Sequence, residues 1–210
     1  VPPRCEANER VQRLRQICTE SDNRSITETG VNTNNVHLLR HILADDRHKV
    51  LYCDIPKVGS TSMKTLLLYE AANVSSMDDI NVWKNHHNPH SEHLLRHFGL
   101  RFLTPSSYSM KGITKRLKEY YKILVVRHPF DRLVSAFNYQ FIQFLEAPAN
   151  YAINEAIYDK EHGVSANGLA VFTKRINLTQ FINYLLERAM RNQTLNGHWE
   201  AYEKRCWPCM

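Results

Sequence analysis

Lys49-Val-Leu-Tyr-Cys-Asp-Ile-Pro-Lys-Val-Gly-Ser-Thr-Ser62, running on into Met63-Lys-Thr-Leu-Leu-Leu-Tyr-Glu-Ala-Ala72, is the stretch on which the fold turns. Lys49 to Pro56 is a short apolar run rich in strand formers and stopped by proline, which predicts a buried strand. Lys57 to Ser62 is a polar turn, and Met63 to Ala72 supplies good helix formers. The unit reads strand, loop, helix. Such a unit builds an anion site, because a helix start offers N–H groups without intrahelical partners and a partial positive charge. Within the candidate loop of Lys57, Val58, Gly59, Ser60, Thr61 and Ser62, the glycine lets backbone approach a phosphate. The hydroxyls add donors and Lys57 a full charge. The loop is not that of a nucleoside triphosphatase, which ends in Gly-Lys-Ser/Thr; here the lysine comes first. A lysine at the start can reach the bridging oxygen and leaving phosphate of a transferring group. The alternative is an ordinary tight turn that carries Lys and Ser.

A second segment has the same logic. Val125-Val-Arg-His-Pro-Phe-Asp-Arg-Leu-Val-Ser-Ala-Phe137 puts Arg127 at the end of a buried-strand candidate, Lys122 to Arg127, and Ser135 eight residues later on a helix. Pro129 starts that helix well, since the N–H it lacks would be unpaired there anyway. Arginine and serine can hold a phosphate by charge-assisted hydrogen bonds. The competing reading is an Arg127–Asp131 salt bridge at a helix start.

Further helices are expected over Glu9 to Cys18, Asn34 to Leu43, His90 to His97, Ile113 to Tyr121, Leu133 to Leu145 and Leu178 to Arg191. Strands alternating with helices indicate an α/β domain with a mostly parallel sheet. Residues 1–47 are polar and read as a stem, leaving 48–210 as the catalytic domain.

With 210 residues, 43% of them hydrophobic, seven glycines and eight prolines, the chain suits one domain with a sizeable core and excludes disordered or fibrous classes. A net charge of +6 with 11 histidines favours anionic partners without choosing among them. No apolar run approaches the roughly 18 residues of a membrane span. The chain is expected to be the soluble piece of a longer protein. Four sequons, at Asn23, Asn73, Asn177 and Asn192, point to the secretory pathway. Five cysteines permit two disulfides with one thiol over, and the connectivity stays open. Cys206-Trp-Pro-Cys209 reads as disulfide partners or, alternatively, as a redox or zinc half-site.

Together, Pro56-Lys-Val-Gly-Ser-Thr61 and Arg127-His-Pro-Phe-Asp-Arg-Leu-Val-Ser135 resemble the 5′-phosphosulfate loop and the 3′-phosphate motif of sulfotransferases. The resemblance is to the Golgi carbohydrate sulfotransferases, the group of the chondroitin, dermatan and N-acetylgalactosamine 4-O-sulfotransferases and the glucuronyl 3-O-sulfotransferase. It runs from about Asp46 to the tail at His198-Trp199 and Cys206-Trp-Pro-Cys209. His128 stands where Glu or Asp is usual, and Met63 where Trp is common. Family members continue past the last cysteine, so this chain is expected to be truncated at its C-terminus.

The resemblance implies a P-loop-like fold, a mostly parallel central sheet flanked by helices, and 3′-phosphoadenosine 5′-phosphosulfate (PAPS) as co-substrate, with no metal. It puts the 3′-phosphate on Arg127 and Ser135, with His128 and Pro129 also among the cofactor-binding residues, and the 5′-phosphosulfate on residues 57–62. Lys57 would stabilise charge on the leaving phosphate. A histidine would take the acceptor proton. The candidates are His86, His87, His90, His93 and His97, and the family context favours His97. The implied acceptor is a chondroitin- or dermatan-like glycan, or one ending in N-acetylgalactosamine, sulfated at its 4-hydroxyl. The implied place is the Golgi lumen, on a type II membrane protein whose N-terminal anchor lies outside this chain. Nucleic acid is not an expected partner. A P-loop kinase-like nucleotide binder would need Gly-Lys-Ser/Thr, and a non-catalytic glycan-binding protein has no need of two phosphate loops.

Overall fold

A computed structural model describes residues 9, 11–13, 16–18, 30–72, 92–145, 147–162 and 175–206. They fall into two units. The first takes Val1–Ile55, Gly59–Val125 and Ala201–Met210; the second takes Pro56–Val58 and Val126–Glu200.

The first unit is built on a four-stranded sheet in the order β3-β1-β2-β4, with β1 at Ile42–Asp45, β2 at Val50–Cys53, β3 at Leu100–Phe102 and β4 at Tyr121–Ile123. The expected helix over Asn34 to Leu43 is a single 3-10 turn, Val36–Leu39, that leads into β1. A mostly parallel sheet was the expectation, and the pairing is mixed. β2 runs parallel to β4, with Val50 opposite Tyr121, whereas β1 is antiparallel to both β2 and β3. The reason is the turn between β1 and β2. Asp45, 3% exposed, accepts from the N–H groups of Arg47 (2.9 Å) and His48 (3.1 Å), and Lys49 takes φ 55°. A connection that short makes a hairpin, since a parallel crossover needs a dozen residues or more. β2 to β4 has that length and is parallel.

Helix α1, Ser60–Ala72, follows β2 as the opening stretch predicts. Its Leu67 and Leu68 join Leu43, Tyr52, Leu94, Leu95 and Leu100 in the core of this unit. The same helix buries Lys64, whose Nζ meets Asp54 at 2.9 Å, so the buried ammonium is paired. α2 spans Glu92–His97 and α3 spans Met110–Glu119, the latter capped by Ser109 Oγ accepting from the Gly112 N–H at 3.2 Å. Asp46 ties the hairpin turn to α3. It accepts two bonds from Arg116 (2.7 and 2.8 Å) and one each from Tyr108 and Tyr120. Burial alone would raise its pKa, but these donors outweigh burial and hold the carboxyl below its usual range.

The second predicted strand differs most. Of Lys122 to Arg127 only Lys122 and Ile123 lie in a strand, β4, which is on a sheet edge with Tyr121 73% exposed. An edge strand has one neighbour to bury it, which a run of apolar letters does not reveal. Cys53, at the end of β2, is disulfide-bonded to Cys206, so the Cys206 half of the Cys-x-x-Cys segment is joined to the sheet. Cys209 and Cys5 lie outside the described residues.

The second unit is helical. α4 (Pro129–Phe137) passes without a break into a π-turn (Asn138–Gln143), followed by α5 (Pro148–His162) and α6 (Leu178–Met190). α6 starts on a capping box between Asn177 and Gln180. Its Phe181 is fully buried, 5.6 Å from the Phe137 ring, 5.1 Å from Phe141 and 5.1 Å from Trp199. Aromatic packing at these separations holds α4, the π-turn and α6 together. No helix among the described residues is long and apolar enough to cross a membrane.

Candidate functional site

Lys57 and Gly59 both adopt left-handed backbone, with φ of 70° and 94°. Glycine does so freely, whereas for lysine it costs about 1–2 kcal/mol. Val58 between them is buried at 9% exposure and anchors the turn. A strained lysine persists only where its surroundings hold it, and such residues gather at functional sites.

From Gly59 onward the loop belongs to the first unit. There the Met63 N–H donates to the Gly59 carbonyl at 3.0 Å and closes the first turn of α1. Ser60 is half-buried, while Thr61 and Ser62 are exposed. His97 is the last residue of α2 in the same unit, exposed, with its ring edge-on to Phe98 at 4.9 Å. His93 is exposed on that helix, and His86, His87 and His90 lie outside the described residues.

The second unit brings Lys57, Arg127 and Ser135 together. They line one pocket of about 340 Å³ with Asp131, Asn138 and Tyr139. Pro129 occupies the start of α4 and His128 its N-cap; the His128 side chain makes no capping bond and stacks on Phe130 at 5.8 Å. Neither residue lines the pocket. Arg127 Nη1 donates to the Lys57 carbonyl at 3.4 Å. The Lys57 ammonium rests 3.8 Å from the centre of the Tyr139 ring, a cation–π contact. Among the described residues Lys57 forms no ion pair. Burial pushes its pKa down, and the charge of Arg127 adds to that. An anion is therefore the ligand that would relieve this pocket electrostatically.

Two residues in the site were not legible as such in the sequence. Tyr139 sits in the π-turn, whose signature is the Phe144 N–H donating to the Tyr139 carbonyl at 3.0 Å, five residues back. The wider turn brings Asn138, Tyr139 and Gln143 to the pocket after Ser135. Arg132, only 5% exposed, donates to the carbonyls of Pro56, Gly197 and Glu200. A signal for Arg132 did exist: it stands four residues before the buried Ala136, a charged side chain on the apolar stripe of its helix.

The chain matches the sulfotransferase family over residues 40–210. Among curated proteins it is 32% identical to human carbohydrate sulfotransferase 9 over 177 residues, covering 83% of this chain and 36% of that protein. It is 33% identical to rat carbohydrate sulfotransferase 10, covering 96% of this chain and 54% of that protein. With rat carbohydrate sulfotransferase 11 it shares 26% identity over 98% of this chain and 51% of the relative. The chain thus spans about half the length, or less, of these relatives. No solved structure matches it. With a match that takes in both phosphate-loop candidates, the chain belongs to the sulfotransferase family.

Proposed function

We propose that this chain carries the donor-binding and catalytic part of a PAPS-dependent carbohydrate O-sulfotransferase with a P-loop-like strand–loop–helix at its centre. The observation that carries the reading is the pocket in which Lys57, Arg127 and Ser135 meet beside Asn138 and Tyr139. A volume of about 340 Å³ lies within the usual range of small-molecule sites. Two cations and a hydroxyl, beside a single carboxylate at Asp131, suit a phosphorylated nucleotide whose bound form supplies an activated sulfuryl group. All of these residues lie within 48–210, the segment read as catalytic.

Each residue has a distinct task. Arg127 and Ser135 hold a phosphate by charge-assisted bonds. Gly59 to Ser62 offer the start of α1, with its partial positive charge, to a second anionic group. Lys57 places an ammonium where negative charge grows as the sulfuryl group departs from phosphate, and positioned charge of this kind supplies much of the rate. His97 accepts the proton of the acceptor hydroxyl. The acceptor is a sugar, proposed as the 4-hydroxyl of N-acetylgalactosamine in a glycosaminoglycan or a glycoprotein glycan. The setting is the Golgi lumen, supported by the Cys53–Cys206 disulfide and by exposed Asn177 and Asn192 in their sequons.

Transfer of labelled sulfate from PAPS to a panel of glycans tests the whole reading, and ATP in place of PAPS should bind weakly. Arg127→Ala and Ser135→Ala should each weaken adenosine 3′,5′-bisphosphate by about tenfold or more, the equivalent of a charge-assisted bond. The same changes should leave adenosine 5′-phosphate, which lacks the 3′-phosphate, nearly unaffected. Calorimetry with both ligands measures this, and equal losses would make the two residues structural. His97→Ala should lower turnover about 10²–10⁴-fold with nucleotide affinity little changed. Changes at His86, His87, His90 and His93 should be milder; a silent His97→Ala moves the base elsewhere.

A further inference from the structure

Lys57 is the one residue of the pocket with strained backbone, and a side chain three residues past Pro129 in the family motif addresses that strain. Arg132 is buried, and its guanidinium spends each of its three nitrogens on a main-chain carbonyl. Nε donates to Pro56 at 3.0 Å, Nη1 to Glu200 at 2.6 Å and Nη2 to Gly197 at 3.1 Å. The Pro56 carbonyl belongs to the same peptide unit as the Lys57 N–H, so a bond to that oxygen fixes the plane from which the Lys57 side chain departs. The proline ring already fixes φ of residue 56. On the other side of Lys57, Arg127 reaches the next carbonyl at 3.4 Å. The two peptide planes flanking Lys57 are thus each met by an arginine. Its left-handed φ of 70° lies between them, and its ammonium ends on the Tyr139 ring.

We infer that Arg132 is a positioning residue for Lys57: buried away from the ligand, it locks the Pro56–Lys57 peptide so that the ammonium is presented to the pocket. This rests on the reading of that pocket as the donor site. It also explains why an arginine occupies the apolar stripe of α4. A fork of three donors can hold the turn and the 197–200 segment at once, whereas a lysine at 132 has a single compact head and cannot reach carbonyls so placed. Arg132 acts through Lys57, which makes its effect conditional on Lys57 being present.

A cycle of variants of the full chain, read by calorimetric binding of adenosine 3′,5′-bisphosphate, tests that condition. Arg132→Lys keeps the charge and should weaken binding about tenfold when Lys57 is present, yet less than twofold in a Lys57→Ala background. Equal losses in the two backgrounds would mean that Arg132 serves the fold alone, and the inference would be wrong. If Lys57→Ala by itself leaves binding unchanged, the donor-site reading fails instead, and the two failures are told apart. Thermal melting checks that each variant is folded. Should Arg132→Lys not fold, Pro56→Ala, which leaves the guanidinium and its three bonds in place, takes over. With Arg132 holding the plane it should weaken binding less than Lys57→Ala does. A loss as large as that of Lys57→Ala would show that the ring and not the guanidinium aims the lysine, and would overturn the assignment.

Discussion

Lys57→Ala is expected to reduce sulfate transfer by at least about 10²–10³-fold while the chain remains folded, the usual cost of removing one positioned donor from a site of developing charge. Three features of Lys57 make the effect large. Its ammonium lines the pocket beside Arg127, its pKa is held down by burial and by that arginine, and its backbone is strained at φ 70°. The stability change should be small. Alanine at φ 70° keeps the backbone strain, and it loses the cation–π contact to Tyr139, worth about 0.5–1 kcal/mol. Lys57→Gly sharpens the test, since glycine relieves the strain and should melt at or above the parent temperature while remaining inactive. Turnover of labelled PAPS and a melting curve, taken on one preparation, read both quantities. Near-normal turnover in either variant would remove Lys57 from the chemistry.

The second large effect concerns Cys53 and Cys206, separated by 153 residues and 4% and 2% exposed. A cross-link over so long a loop removes much conformational freedom from the unfolded chain, about 5 kcal/mol by chain entropy and about 2–5 kcal/mol in practice. Cys206→Ser should therefore lower the melting temperature by roughly 10 °C, taking about 2–4 °C per kcal/mol at this size. Calorimetry of the parent with and without reductant provides the control. The buried sulfurs should resist reduction until the chain unfolds, so a parent and variant that melt together in the absence of reductant would count against the assignment.

Much of the site was legible because its chemistry is local. Lys57, Arg127 and Ser135 could be picked from two segments whose strand-to-helix punctuation is strong, and the structure places all three on one pocket. α1 follows from its helix formers, beginning at Ser60 rather than Met63, and α6 from its amphipathic pattern, with Leu178–Met190 ending one residue short of the expected Arg191. The mixed sheet did not follow, because the hairpin depends on Asp45 capping its own turn, and Asp45-Asp-Arg-His-Lys49 carries no Gly or Pro to announce it. β1 itself was read as the end of a helix, since Ile42 and Leu43 fit either period over so short a run. β4 was read as buried because strand order, which decides who sits on an edge, is a long-range property. The π-turn shifts hydrogen bonds by one residue and leaves composition unchanged, so Tyr139 looked like one more aromatic on a helix.

The disulfide also sets a timetable for the chain's synthesis. At about 5–20 residues per second, the 153-residue separation of its cysteines takes roughly 8–30 s to emerge. Through that interval Cys53 is at the end of a strand whose final partner does not yet exist, although Cys5 and Cys18 have both been made. If Cys53 is oxidised with another cysteine in that interval, the mispaired bond must be exchanged before Cys206 can close on β2. Secretion yield is therefore expected to depend on a disulfide isomerase even where the finished protein is stable.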